Sequence, residues 1–326
     1  MTDFRFIEFE KKRDFSEKIN ATFSFATQNF KGLFRSLLYI GGPPTLVASM
    51  LFSSFFTDIF SMGIRAGDPD LFASYLTSPN FWVRVIAACL FFITAVVVVT
   101  ATSYNYMLLY REKKSNQIEV HEVWERVRET FWMYLGTSVL FGLVAVISYF
   151  VLMLPMFILG AISPFLIFFG MLFMICGIFY LYVGASLVFV IRAFEKKGFI
   201  DAIRRSFHLI RDKWWSTAGN MFVLSMLVGV FSSIFFVPAY VIMIVQTLQG
   251  INEKNFQGSD GGILGIITLI LITCYYLSQL ILASLPNIGL AFQYFNLVEM
   301  KEARGLMGEI ETFGKPQDAP RPPEDY

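Results

Sequence analysis

Charge is scarce in this chain. Asp, Glu, Lys and Arg make up 16% of its 326 residues, against about 25% in a soluble domain, and the shortfall is concentrated. Five stretches hold none of the four: Ser36 to Thr57, Val85 to Tyr110, Phe131 to Ile191, Trp214 to Asn252 and Gly261 to Val298, of 22, 26, 61, 39 and 38 residues. These runs exclude a soluble fold. Histidine is reduced to His121 and His208, and cysteine to Cys89, Cys176 and Cys274, each cysteine inside an uncharged stretch. Cysteines so placed behave as small hydrophobes, and no disulfide is expected. Two histidines on separate polar segments give no zinc ligand set of ordinary spacing, and a facial triad for iron would have to converge across linkers. No phosphate-binding glycine loop, nucleophile elbow or Ser-His-Asp order occurs. The sequence therefore predicts no cofactor, no metal and no enzyme.

What is present is apolar length. About 20 residues cross the hydrocarbon layer as a helix, so four of the stretches hold one span each and the 61-residue run holds two. The runs are continuously apolar rather than alternating, which excludes a barrel. The expected fold is all-α: a polytopic integral membrane protein of six transmembrane helices arranged as three hairpins, with cytoplasmic interfacial amphipathic helices. Residues 1–32 form an N-terminal segment with an amphipathic helix, 33–298 the transmembrane domain with linkers 111–130 and 192–213, and 299–326 a tail. The tail has net charge −3 and four prolines, Pro316, Pro320, Pro322 and Pro323. It is expected to be disordered at its end.

Residues 1–32 hold no apolar core before a cleavage site, because Asp3, Arg5, Glu8, Glu10 and the run Lys11 to Asp14 interrupt every candidate. No cleaved signal peptide is expected. Of 26 Lys and Arg, 23 fall on the N-terminal segment, the two linkers or the tail. The positive-inside rule then places both termini in the cytoplasm, and the expected location is the cytoplasmic (inner) membrane. Trp82, Trp132, Trp214 and Trp215 each stand at the start of a predicted span, at headgroup level.

Spans 1 and 2 are expected to enclose an external loop from Ser61 to Asn80. Spans 3 and 4 should turn tightly around Pro155, Gly160 and Pro164, and spans 5 and 6 should enclose a turn-rich loop from Gln249 to Gly262. Each hairpin is preceded by a half-charged, half-apolar segment. Ile19, Phe23 and Phe30, then Val123, Val127 and Tyr134, then Ile203, Phe207 and Trp214 share offsets of 4 and 11, one face of a helix. Two hairpins also end alike, in Glu112-Lys113-Lys114 and Glu195-Lys196-Lys197. A threefold duplication is predicted, its elbows lying in the headgroup plane with the apolar face toward the acyl boundary.

The third elbow is the most basic. Arg192, Lys196, Lys197, Arg204, Arg205, Arg211 and Lys213 outweigh Glu195, Asp201 and Asp212 by +4. These seven are the candidate contacts to membrane lipids, anionic ones favoured at about 1 kcal/mol per basic residue near the surface; solvated charges that only set orientation would look the same. The second linker, 111–130, is charge-balanced and reads as a solvated or protein-facing helix. No basic patch for nucleic acid is evident.

No ionisable residue falls at mid-depth, and Asp58 and Arg84 lie at span ends, where snorkelling is the expected reading. Gly41-Gly42-Pro43-Pro44 is expected to break or kink span 1, since its prolines cannot donate backbone N–H groups. The uncharged polar residues Asn220, Gln279, Asn287, Gln293 and Asn296 form the candidate intramembrane cluster, with Asn105 apart from it. Gln293 and Asn296 share one helix face. Interhelical hydrogen bonding is the bland use of such residues, and a substrate pocket the sharp one.

The stretch Phe199-Ile200-Asp201-Ala202-Ile203-Arg204-Arg205-Ser206-Phe207-His208-Leu209, followed by Trp214, resembles a segment of a poorly characterised bacterial membrane family. That family is similar to the membrane domain attached to some glycerophosphodiester phosphodiesterases. The resemblance covers about 16 residues and implies a membrane module without catalytic residues; no soluble barrel of about 250 residues fits outside the spans. The expected function is a noncatalytic, lipid-interacting scaffold or accessory subunit of an envelope complex with a protein partner. The alternative is a transporter or lipid-handling protein without ion coupling.

Overall fold

The computed structural model describes residues 5–64, 69–252, 263–303, 305 and 307. Among the described residues there is no strand, and six helical segments are long and apolar enough to cross a membrane: Phe30–Ile59, Pro79–Lys113, Val120–Ile162, Pro164–Glu195, Trp214–Gln246 and Ile263–Glu302. The chain is an all-α polytopic membrane protein, as its uncharged runs require.

The helix α1 (Phe15–Gln28) starts on a reciprocal cap. The Asp14 carboxylate accepts from the Glu17 N–H at 2.7 Å while the Glu17 carboxylate accepts from the Asp14 N–H at 2.9 Å, which satisfies donors that helix starts leave open. At Asn29 the chain breaks, and α2 (Phe30–Ser36) begins. One wide π-type turn, Leu37–Gly41, precedes α3 (Gly42–Ile64). Its cause is Pro43 and Pro44: without N–H groups they leave the carbonyls of Tyr39 and Ile40 outside an α-helical ladder, and the backbone widens there. The expected break in span 1 is thus a change of helical pitch.

Part of the expected external loop is helical: α4 (Pro69–Thr77) leads through the Ser78 cap into α5 (Pro79–Lys113). Asp58 and Arg84 do not snorkel separately at this end. They pair at 2.9 Å, with the Tyr75 hydroxyl donating to Asp58 at 2.9 Å. The tight turn between spans 3 and 4 also sits later than expected. Pro155 lies inside α6 (Val120–Ile162), and the reversal occurs at Ser163 to Leu166 before α7 (Ile167–Ala185). The two helices then approach closely: a Cβ on Gly170 would stand 2.5 Å from the Met156 Cα.

After α7 come α8 (Val188–Glu195) and α9 (Phe199–Ile210), a single 3-10 turn, and α10 (Trp214–Asn252). Span 6 is divided at Ala283 into α11 (Ile263–Leu282) and α12 (Ser284–Glu302), since Pro286 cannot donate to the Leu282 carbonyl. Both Glu-Lys-Lys ends stop in the same way, on a lysine in the left-handed conformation, Lys114 (φ 49°) and Lys196 (φ 53°). The expected loop between spans 5 and 6 lies outside the described residues beyond Asn252, as does the tail beyond Met307.

Neighbouring spans run in the order α7, α6, α5, α3, α11, α10, and α7 meets α10 only over a short contact. The main core gathers at the end of the bundle where the elbows lie, around Tyr106, Tyr110, Tyr134, Leu187, Leu209, Phe292 and Tyr294. The opposite half holds a small cluster, Ala239, Met243 and Ile272. Most exposed is α6, whose most apolar stretch has no fully buried residue although it packs on α5 and α7. In a bilayer this leaves it facing acyl chains, which cost nothing to apolar side chains.

Candidate site at the elbow face

The elbows pack on protein rather than presenting their apolar faces to lipid. In α1 the buried residues are Lys18, Thr22 and Phe25, followed by Asn29; Ile19 and Phe23 are half-buried and Phe30 is exposed. In α9 they are Ala202, Ser206, Leu209 and Ile210. The offset of 4 therefore recurs in all three elbows and that of 11 in the first two, but only Val123, Val127 and Tyr134 stand on the expected residues. In the first and third elbows the inward face starts one residue earlier, at Lys18 and Ala202. A lysine at the head of the face hid it from a count of apolar residues.

Lys18 is the centre of the arrangement. Its ammonium donates to the Gln293 Oε1 at 2.6 Å and to the Ser216 Oγ at 2.7 Å, tying α1 to α12 and α10. The Gln293 amide in turn donates to the Thr217 hydroxyl at 2.8 Å. One turn along, the Asn220 amide donates to the Gly289 carbonyl at 3.0 Å; Gly289 permits that approach, since a Cβ there would meet Leu224 at 2.0 Å. Asn296 accepts the Arg13 backbone N–H at 2.7 Å, at the start of α1. Burial, with Lys213 nearby, pulls the Lys18 ammonium down to about 8, and Asp14 opposes this. An ammonium held this way by neutral acceptors is under-compensated.

Of the five uncharged candidates the structure brings Asn220, Gln293 and Asn296 together on this seam. Gln279 and Asn287 lie apart from it: the Gln279 amide reaches the Tyr275 hydroxyl at 3.4 Å, and Asn287 reaches Thr100 at 3.5 Å. Lys18, Ser216 and Thr217 are the members that sequence reasoning missed. The signal for Lys18 is its spacing, since Lys18, Thr22, Phe25 and Asn29 are one helix face.

The seven basic candidates divide in two. Arg205 lies between Glu195, at 2.9 Å, and Glu302, and these partners push the guanidinium above its already high range. Lys197 reaches the other Glu195 oxygen at 3.0 Å, and the Tyr294 hydroxyl donates to Glu195 at 2.7 Å. Arg192 donates to the Thr137 hydroxyl at 2.7 Å. These three are engaged within the protein, contrary to a uniform lipid-facing set. Lys196, Arg204, Arg211 and Lys213 are exposed, and none forms an ion pair among the described residues. Asp212 between the last two is held by Lys301 at 2.9 Å, which keeps its carboxyl below the usual range.

Where α7 and α10 part, a cleft of about 690 Å³ opens. One wall is Cys176, Phe179 and Tyr180 of α7, and the rim carries Arg211, Lys213 and Ser216. Trp214 stands between, its ring 5.4 Å from Phe179 and 5.9 Å from Tyr180. Its indole N–H is shielded from water and has no acceptor among the described residues. No group of three His, Cys, Asp or Glu placed to hold a metal occurs among the described residues. No protein-family model, curated protein or solved structure matches this chain.

Proposed function

We propose that this chain is a noncatalytic scaffold of the cytoplasmic membrane, its elbow face on the cytoplasmic side and resting on anionic lipid headgroups. The observation that carries this reading is the division of the basic residues. Arg192, Lys197 and Arg205 serve internal contacts, whereas Lys196, Arg204, Arg211 and Lys213 project outward with no ion pair among the described residues. Orientation needs basic charge on that side but not its exposure around a packed plate of helices. Such an array attracts an anionic leaflet and weakens with salt.

Transport is the weaker reading. The side-chain amide N–H groups of Asn220 and Gln293 are taken up by hydrogen bonds between helices, and both residues are buried rather than facing an open polar path. The short resemblance of the third elbow to a membrane module without catalytic residues supports the scaffold as well.

The test is lipid selection around the reconstituted protein. In nanodiscs mixing phosphatidylglycerol and phosphatidylcholine, spin-labelled anionic lipid should be enriched at the protein boundary. Enrichment should fall with salt and after joint replacement of Lys196, Arg204, Arg211 and Lys213 by Gln. Equal association of both lipids at low salt would overturn the reading.

A further inference from the structure

The cleft between α7 and α10 differs from the rest of the elbow face in being rich in donors and poor in acceptors. Arg211 and Lys213 bring to its rim a guanidinium and an ammonium with no ion pair among the described residues. Ser216 adds a third kind of donor. Its oxygen already accepts from the buried Lys18 ammonium at 2.7 Å, so its hydroxyl hydrogen is free to point away from that bond, polarised by the charge behind it. The one acid on the rim, Asp212, is occupied by Lys301. Donors that outnumber the one acid, itself paired, match a group with several anionic oxygens, which is what a phosphate offers.

The opposite wall is apolar and belongs to a membrane span, Cys176 and Phe179 of α7. A soluble phosphate would leave that wall unused, whereas a phospholipid fills both parts, headgroup at the rim and acyl chain along α7. The volume, about 690 Å³, suits a headgroup with the first part of a chain.

We propose that this cleft binds one anionic phospholipid per chain, its phosphate held by Arg211, Lys213 and the Ser216 hydroxyl, and its acyl chain against Cys176 and Phe179. The inference rests on the lipid-interacting reading above and narrows it from a general attraction to a single site. Because Lys18 lies behind Ser216, a bound phosphate also adds to the partial counter-charge that Asp14 gives the buried ammonium.

Native mass spectrometry of the whole chain, released from mixed phosphatidylglycerol and phosphatidylcholine nanodiscs, reads the site directly. One phosphatidylglycerol should remain per chain. Replacing Arg211 and Lys213 together by Gln should lower the retained fraction about tenfold or more, as loss of charge-assisted bonds predicts. Replacing Lys196 and Arg204 by Gln removes the same charge outside the cleft and should leave it unchanged. Ser216→Ala, which keeps the rim charges, should lower retention by a smaller factor. Equal loss from both double variants, or no retained lipid, overturns the site. Displacement by millimolar inorganic phosphate also overturns it, since the ligand would then be a soluble anion. Boundary enrichment without a retained lipid would sink this inference and leave the general reading standing. A retained lipid without enrichment would do the reverse.

Discussion

The Lys18 ammonium and the Gln293 side-chain oxygen, 275 residues apart in the chain, meet at 2.6 Å and lock the N-terminal helix against the last one. Because burial draws Lys18 down from its ordinary 10.5 to about 8, the folded state loses this proton at lower pH than the unfolded chain does. Between those values the unfolded state binds more protons, so stability rises with pH there. Below about 8 the full cost of the buried charge is present.

The thermal midpoint of the wild type should therefore gain on that of Lys18→Met as pH is raised from 7 to 9.5 in detergent. Taking the difference between the two proteins cancels the other titrating groups. A difference that stays flat across this range would mean that Lys18 keeps its ordinary proton affinity.

Arg205 should be sensitive to truncation. Its side chain is 15% exposed and that of Glu195 6%, so Arg205→Ala removes one charged partner of a shielded carboxylate and leaves it to Lys197 and the Tyr294 hydroxyl. A loss of about 1.5–3 kcal/mol is expected for removing a charge-assisted hydrogen-bond partner. Arg204→Ala, on the exposed face of the same helix, should change stability by less than about 0.5 kcal/mol. Chemical denaturation in mixed micelles compares the two, and equal losses would contradict the assignment of roles.

The hairpin of α6 and α7 depends on Gly170. An added methyl would stand 2.5 Å from the Met156 Cα, backbone that cannot move aside as a flexible side-chain tip can. Gly170→Ala should lower stability by about 1–3 kcal/mol, as overpacking does. Gly142→Ala, where nothing lies within 4 Å, should cost nothing measurable. Thermal unfolding of both variants checks the contrast.

Asn296→Ala removes the acceptor of the Arg13 backbone N–H, the contact that starts α1 on α12. Amide exchange over residues 5–28 should quicken while that of α5 and α10 stays as before. Uniformly faster exchange would show that Asn296 supports the whole bundle rather than its N-terminal strap.

Much of this was legible in the residues alone. The uncharged runs set the number of spans, since a continuous apolar run of that length has no other solvent. Pro43 and Pro44 announced the break in span 1, and Gln293 with Asn296 announced an interhelical seam. The limits appear at Pro155, which reads as a turn but continues inside α6: a helix in a bilayer tolerates one missing donor, and the reversal waits for Ser163.

Composition and spacing thus determined the number of membrane-crossing segments and their hairpin order, because those depend on local hydrophobicity and backbone hydrogen bonding. Tertiary structure alone decided which polar residues meet. It turned Lys18 inward and the elbows against protein, and it engaged Arg192, Lys197 and Arg205 while leaving Arg211 and Lys213 on an open cleft. A lysine reads the same in sequence whether water or a glutamine from a distant helix surrounds it; only packing selects its neighbour and so its energy.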